Sequence, residues 1–258
     1  MIKLKISEKE TILKKISLGE INFEDLESKF RQERDIVIEA LKHDRWALLY
    51  AADKFKKDKD IVLRTVKNNG LALELADDNL RGDRNIVLHA VKNCGYALKY
   101  ASNKLQQDDE IVFEAVKSDG WALPFAADKF KKDRNFVLKA IKFHGYAFQY
   151  AFHKFKQDPE FVLEAVKLHG YALQYAEDKL KQDPNFVLKA VKINGYAIKY
   201  ASEKLKNNRK IALASVKQNG LSLCHLSEEF RQDREITLES VKQNHKAIEF
   251  IVDKPDKK

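Results

Sequence analysis

Cysteine is scarce: Cys94 and Cys224 are the only two in 258 residues. Two are too few for a disulfide framework, and the pair falls far apart in the chain, so both are expected as free thiols in a reducing compartment. Long apolar runs are also missing. Nothing approaches the roughly 20 residues of a membrane span, and the opening MIKLKISEKETILKK holds no run of signal-peptide length. These absences argue against a secreted disulfide scaffold and a membrane protein, and the expected location is the cytoplasm. The sequence also has no Gly-rich phosphate loop, nucleophile elbow or HExxH. Charge of a single sign is not segregated, because 48 basic and 39 acidic residues are mixed along the chain and leave a net charge of +9. Such a mixture allows polyanion binding without demanding it.

What is abundant is self-similarity. KQDPEFVLEAVKLHGYALQYAEDKL, residues 156 to 180, lies without a gap on KQDPNFVLKAVKINGYAIKYASEKL, residues 181 to 205. The 25-residue frame recurs from 31, 56, 81, 106, 131, 206 and 231. A fixed period of this kind marks a stack of supersecondary units. Residues 31–255 therefore read as nine tandem repeats in one continuous solenoid domain. Residues 1–30 keep the apolar frame but lack its Gly and Tyr, as a degenerate N-terminal capping repeat would, and 256–258 read as a disordered tail. The fold class expected is all-α: an α-solenoid of about ten 25-residue helix-pair repeats stacked into a single right-handed or curved array.

Each unit predicts two short helices. Asp158 and Asp183 are N-caps, followed by Pro159 and Pro184 at the first helical position. Phe161, Val162, Leu163, Ala165 and Val166 share an apolar face. Gly170, with Gly70, Gly95, Gly120, Gly145, Gly195 and Gly220 at the same place, fits a left-handed position after the helix. A second helix is expected from Tyr171 to about Leu180, with its apolar residues on one face. Neither helix reaches the roughly 12–15 residues needed for independent stability, so each must be held by its neighbours.

The pattern Asp-x-x-(Ile/Phe)-Val-Leu-x-Ala-Val-Lys-x-x-Gly-(Tyr/Trp)-Ala-Leu-x-Tyr-Ala resembles an uncharacterised tandem-repeat family, domain of unknown function 4116, whose unit is about twice this one. The resemblance covers residues 31 to 230 well and implies a repeat architecture. It carries no activity and no functional residue. A looser likeness to armadillo, HEAT and tetratricopeptide arrays implies a binding role by analogy.

Positions fixed in every unit serve stacking, whereas variable exposed positions are free to meet a partner. One fixed position departs from that rule: Lys42, Lys67, Lys92, Lys117, Lys142, Lys167, Lys192, Lys217 and Lys242 end the first helix of all nine units. Such a row has a structural explanation, through the helix dipole, apolar contact of the stem, or pairing with the late acids Asp53, Asp78, Asp128, Asp178, Glu203, Glu228 and Asp253. It also has a functional one, an anion-binding ladder. The recurring aromatics, such as Tyr146 with Tyr150 and Tyr171 with Tyr175, read as core packing with hydroxyls at the rim. Lysines around the inter-repeat turn, such as Lys154 and Lys156, read as a solvated mixed-charge edge.

Catalysis has little support. His144 and His169 sit one repeat apart, too far for a two-histidine zinc site, and Cys224 and His225 diverge as adjacent helical residues. The expectation is a non-enzymatic scaffold, with no cofactor and no metal, binding a protein or peptide as a monomer. Its contact candidates are the variable positions Glu74, Lys99, Pro124, Gln149, Gln174 and Lys199. The alternative is binding of nucleic acid or another polyanion through the lysine ladder.

Overall fold

A computed structural model describes residues 8–44 and 46–252. The tail assigned to 256–258 lies outside the described residues. Among those residues there are helices and turns and no strand, and the chain is an all-α tandem-repeat solenoid. By internal contacts it comprises two compact units, Met1–Ala127 and Asp128–Lys258.

The first helix of each repeat forms where the caps place it. In Pro159–Leu168 the Asp158 carboxylate accepts from the N–H groups of Glu160 at 2.9 Å and Phe161 at 3.3 Å, and Pro159 opens the helix without an N–H to satisfy. Asp183 does the same for Pro184–Ile193. Phe161, Val162, Ala165 and Val166 are fully buried, as expected. Each large apolar side chain gains about 1.5–3 kcal/mol on burial, which stabilises a ten-residue helix only once a neighbouring repeat supplies the other wall.

The second helix differs from expectation. In place of one helix over Tyr171 to Leu180 there are two short pieces, a 3₁₀ segment Gly170–Tyr175 and an α segment Asp178–Gln182. The break falls at Ala176 and Glu177, both extended. Its cause is an exchange of hydrogen bonds: Glu177 N–H donates to Lys156 O, at the start of the same repeat in the short α segment His153–Gln157, at 3.0 Å. Ser102 N–H to Arg81 O at 2.9 Å and Ser202 N–H to Lys181 O at 3.0 Å repeat the link. A continuous helix would spend that N–H internally and lose the tie between successive short α segments.

Nor is the recurrent glycine left-handed. Among the described residues only Gly19 has a positive φ, at 70°. The residue before the repeat glycine leaves the helix in an extended conformation, as His169 does at φ −146°, ψ 119°. The glycine is there for proximity: a Cβ on Gly195 would stand 2.3 Å from Ser215 O, and one on Gly220 would stand 2.2 Å from Ser240 O. Backbone of one repeat thus touches backbone of the next.

Within each unit the repeats make two layers. Successive ten-residue helices pack side by side, as Pro159–Leu168, Pro184–Ile193, Arg209–Gln218 and Arg234–Gln243 do, and successive 3₁₀ segments form the second layer. Ala172 and Leu173 from the 3₁₀ layer meet Phe161, Val162 and Val166 from the helical layer in the core. The residues before 31 follow the same plan, with helix Glu8–Ser17 packed on helix Arg34–His43.

The cap aspartates also tie repeats together. The residue after one cap reaches the next cap, as in Lys59–Asp83 at 2.6 Å, Arg84–Asp108 at 3.2 Å and Arg209–Asp233 at 2.6 Å. The Arg209 side chain lowers the Asp233 pKa, with help from the Ile236 N–H, and the Ile111 N–H lowers that of Asp108. A carboxylate depressed in the folded state contributes stability that is present above its unfolded pKa of about 3.9 and is lost as pH falls through the folded value. The thermal midpoint is therefore expected to stay level from neutrality to about pH 5 and to fall steadily below about pH 4. Calorimetry across that range checks it, and an unchanged midpoint at about pH 3 would remove these caps from the account.

Candidate functional site

Two exposed surfaces carry the residues singled out in the sequence, one on each layer. On the 3₁₀ layer the three-residue turn decides what faces out. Residues three apart eclipse, so Tyr171 stands in line with Gln174, while Ala172 and Leu173 turn into the core. Glu74, Lys99, Gln149, Gln174 and Lys199 are exposed, and Pro124 is half-buried. The aromatics around them pack at the edge of the core, Tyr175 and Tyr200 against its buried cluster. Tyr96, Tyr100, Tyr171, Tyr175, Tyr196 and Tyr200 are all half-buried, and Trp46 and Trp121 are exposed. Each variable residue except Glu74, which has Leu71 and Leu75, consequently sits between two rings. Lys199 Nζ lies 5.5 Å from the Tyr196 centroid and 5.4 Å from that of Tyr200, and it donates to the Tyr196 hydroxyl at 3.1 Å. Lys99 sits in the same way, 5.6 Å from Tyr96 and 5.3 Å from Tyr100.

In the second unit the segments Gly145–Tyr150, Gly170–Tyr175 and Gly195–Tyr200 adjoin in order, which makes their rings one surface. Burial first, and then the phenols of Tyr200, Tyr171 and Tyr150, raise the Tyr175 pKa. Burial also raises that of Tyr200. The hydroxyls stay protonated at neutral pH and present donors as well as acceptors. Lys156 and Lys181, expected in a solvated edge, partly serve this layer instead. Lys156 Nζ donates to Gln149 O at 2.6 Å, closing the 3₁₀ end, and burial lowers its pKa.

The lysine ladder lies on the helical layer. All nine lysines are exposed. In the first unit Lys42 and Lys117 pair with Glu39 and Glu114 three residues back, and in the second Lys242 pairs with Glu239 and Lys217 with the same Glu239 at 3.8 Å. Lys67, Lys92, Lys142, Lys167 and Lys192 make no ion pair among the described residues. The late acids considered as partners are engaged elsewhere: Asp53 holds Lys56 at 2.9 Å, Asp178 holds Lys181 at 2.8 Å and Glu203 holds Lys206 at 2.7 Å. Asp253 lies outside the described residues.

The residue that follows the lysine was missed by sequence reasoning. Gln243 accepts from Gly220 N–H at 2.5 Å and donates to Gln218 O at 3.3 Å, so its amide clamps the preceding repeat. Gln218 clamps Gly195 N–H and Ile193 O in the same way, and Asn93 clamps Gly70 N–H and Lys67 O. The available signal was a block of three large apolar residues, Phe143, Leu168 and Ile193, at a register position that otherwise holds polar ones.

Burial raises the Cys224 thiol pKa and lowers that of His225, whose ring meets Tyr196 edge-on at 5.0 Å. An activated thiol needs the opposite shift. Among the described residues no group of three or more His, Cys, Asp or Glu is placed to hold a metal ion, and no helix is long and apolar enough to cross a membrane.

None of the curated proteins compared with the chain matches it. The family model described as Domain of unknown function (DUF4116) matches residues 33–81, 83–131, 108–156, 133–181, 158–206, 183–231 and 208–253. From 83 onward each match begins 25 residues after the last and spans about two of the present repeats. The chain belongs to this family of unknown function, as a tandem array of its repeats.

Proposed function

We propose that the protein is a non-enzymatic helical-repeat scaffold that binds a protein or peptide partner on the tyrosine-lined 3₁₀ face, working as a cytoplasmic monomer. The observation that carries this reading is the bracketing of one exposed, variable residue by two half-buried rings in successive repeats. Tyrosine offers large amphipathic contact area at low entropic cost, and a rigid array holds it in place before the partner arrives. The intervening residue, Gln149, Gln174 or Lys199 in the second unit, then sets specificity at each step. The two free cysteines, Cys94 and Cys224, agree with a reducing compartment.

Panning a random-peptide display library on the purified protein tests the proposal. The expected result is enrichment of related peptides whose binding survives moderate salt. Failure to enrich would reject it, and binding of mixed-sequence RNA or DNA in its place would favour the second reading. That reading, nucleic acid or another polyanion on the lysine row, is favoured by the five lysines without a carboxylate partner. It requires affinity for mixed-sequence RNA or DNA to fall steeply with salt, at roughly one power of concentration per phosphate contacted.

A further inference from the structure

The register position after the row lysine holds an unexpected exchange. Where Gln218 and Gln243 spend this side chain on clamping the previous repeat, three consecutive repeats carry Phe143, Leu168 and Ile193. An aliphatic or aromatic side chain cannot make either clamp bond. Nor are these side chains buried in return, since they remain 40%, 36% and 38% exposed. The exchange gives up the clamp, leaving His169 and Asn194 at the next position to reach back to Lys142 O at 3.4 Å and Val166 O at 3.5 Å, and it keeps large apolar groups partly facing water, which does not favour the fold.

The surroundings of these three residues complete a surface. Leu138 and Leu168 line a groove of about 450 Å³ between helices Arg134–Phe143 and Pro159–Leu168, together with Lys139, Lys142, Glu164 and Lys167. The next helix, Pro184–Ile193, continues the series with exposed Lys189 and Lys192 beside Ile193. Five lysines, Lys139, Lys142, Lys167, Lys189 and Lys192, thus border the apolar residues, against one carboxylate, Glu164, which Arg134 already holds at 2.7 Å. The corresponding groove in the first unit is smaller, about 220 Å³, and Asn68 stands where Leu168 does.

We propose that this strip of the second unit, apolar residues Phe143, Leu168 and Ile193 bordered by lysines, docks an acidic amphipathic helix of a partner protein. The charge calls for carboxylates, and the apolar centre calls for a partner with a hydrophobic face, which a phosphate backbone lacks. The spacing selects a helix crossing the repeats. Packed helices stand about 8–10 Å apart, and seven residues of an α-helix rise about 10 Å, so one apolar residue every two turns meets one repeat. The strip lies on the helical layer, so it is a second docking surface in addition to the 3₁₀ face.

The probe is a fluorescent peptide of roughly 20 residues with leucine at every seventh position and glutamates beside each leucine, a length that covers three repeats. Its control has the same composition in scrambled order. The informative variant is Leu168→Gln with Ile193→Gln, which installs the residue that clamps elsewhere in this unit. The strip is expected to bind the periodic peptide at least roughly tenfold more tightly than the scrambled one. The double glutamine variant is expected to lose that margin while its thermal midpoint stays equal to or above that of the parent. Equal binding of the two peptides would overturn the proposal. So would full retention of binding by the double variant, or a lowered midpoint, which would make the two residues structural. Tighter binding of mixed-sequence single-stranded RNA, unaffected by the double variant, would instead assign the strip to a polyanion.

Discussion

Replacing Gly195 by alanine is expected to destabilise the protein by about 3 kcal/mol, because the new Cβ meets a backbone carbonyl that cannot step aside. The contact at issue is 2.3 Å to Ser215 O, well inside the separation two such atoms tolerate. Ser215 is buried in helix Arg209–Gln218, itself packed between neighbours on both sides, so relief would require moving a whole repeat. Asparagine distinguishes this cause from the left-handed glycine the sequence suggests. At a left-handed position asparagine is among the best replacements, whereas at a point of close approach it clashes as alanine does and carries extra volume. Gly195→Asn is thus expected to be at least as damaging as Gly195→Ala. Gly19, at φ 70° with open space around its Cβ direction, is the internal control. There alanine is expected to cost about 1–2 kcal/mol and asparagine less. Urea midpoints of the four variants separate the two explanations.

The second large effect is on binding. Changing Lys142, Lys167 and Lys192 together to glutamate is expected to weaken the acidic helical peptide by more than roughly a hundredfold while leaving the protein folded. The three lysines are exposed and make no ion pair among the described residues, so no carboxylate is left without a partner. The cost to the fold is mainly an acid in the last turn of each helix, about 0.3–1 kcal/mol apiece. Circular dichroism with anisotropy reads both quantities on one sample. A variant that unfolds would show that the row is architectural, the reading through dipole and stem contact that exposure alone does not remove.

Much of this architecture was legible in the sequence, and the parts that were not share a cause. Asp158 and Asp183 announced their helix starts because a cap acts on N–H groups two and three residues away. The 25-residue period needed no structure to be seen. The break at Ala176 was hidden because it depends on a carbonyl 21 residues before Glu177, Lys156 O, and residues 171 to 180 by themselves have a helical pattern. Gly170 and its counterparts were misread for a related reason: a glycine after a helix answers equally to a left-handed turn and to a neighbour's approach, and only the next repeat tells which. The tyrosines read as core packing with hydroxyls at the rim, and the 3₁₀ turn leaves Tyr175 and Tyr200 half-buried against the core's edge. Lys142, Lys167 and Lys192 were visible as a row, but the late acids proposed for them proved to serve the turn lysines. Phe143, Leu168 and Ile193 passed unnoticed because their significance lies in what Gln218 and Gln243 do elsewhere.

The claim beneath these results is that on the 3₁₀ face repetition separates architecture from recognition, with the variable positions of that face carrying contact and its fixed ones carrying the fold. Its most direct test is to exchange Gln149, Gln174 and Lys199 together for glutamate, the residue the array itself uses at Glu74, and to measure affinity for a library-selected peptide alongside the thermal midpoint. The account expects affinity to fall by at least roughly tenfold with the midpoint almost unmoved. Unchanged affinity, or a midpoint that falls in step with it, would contradict the account.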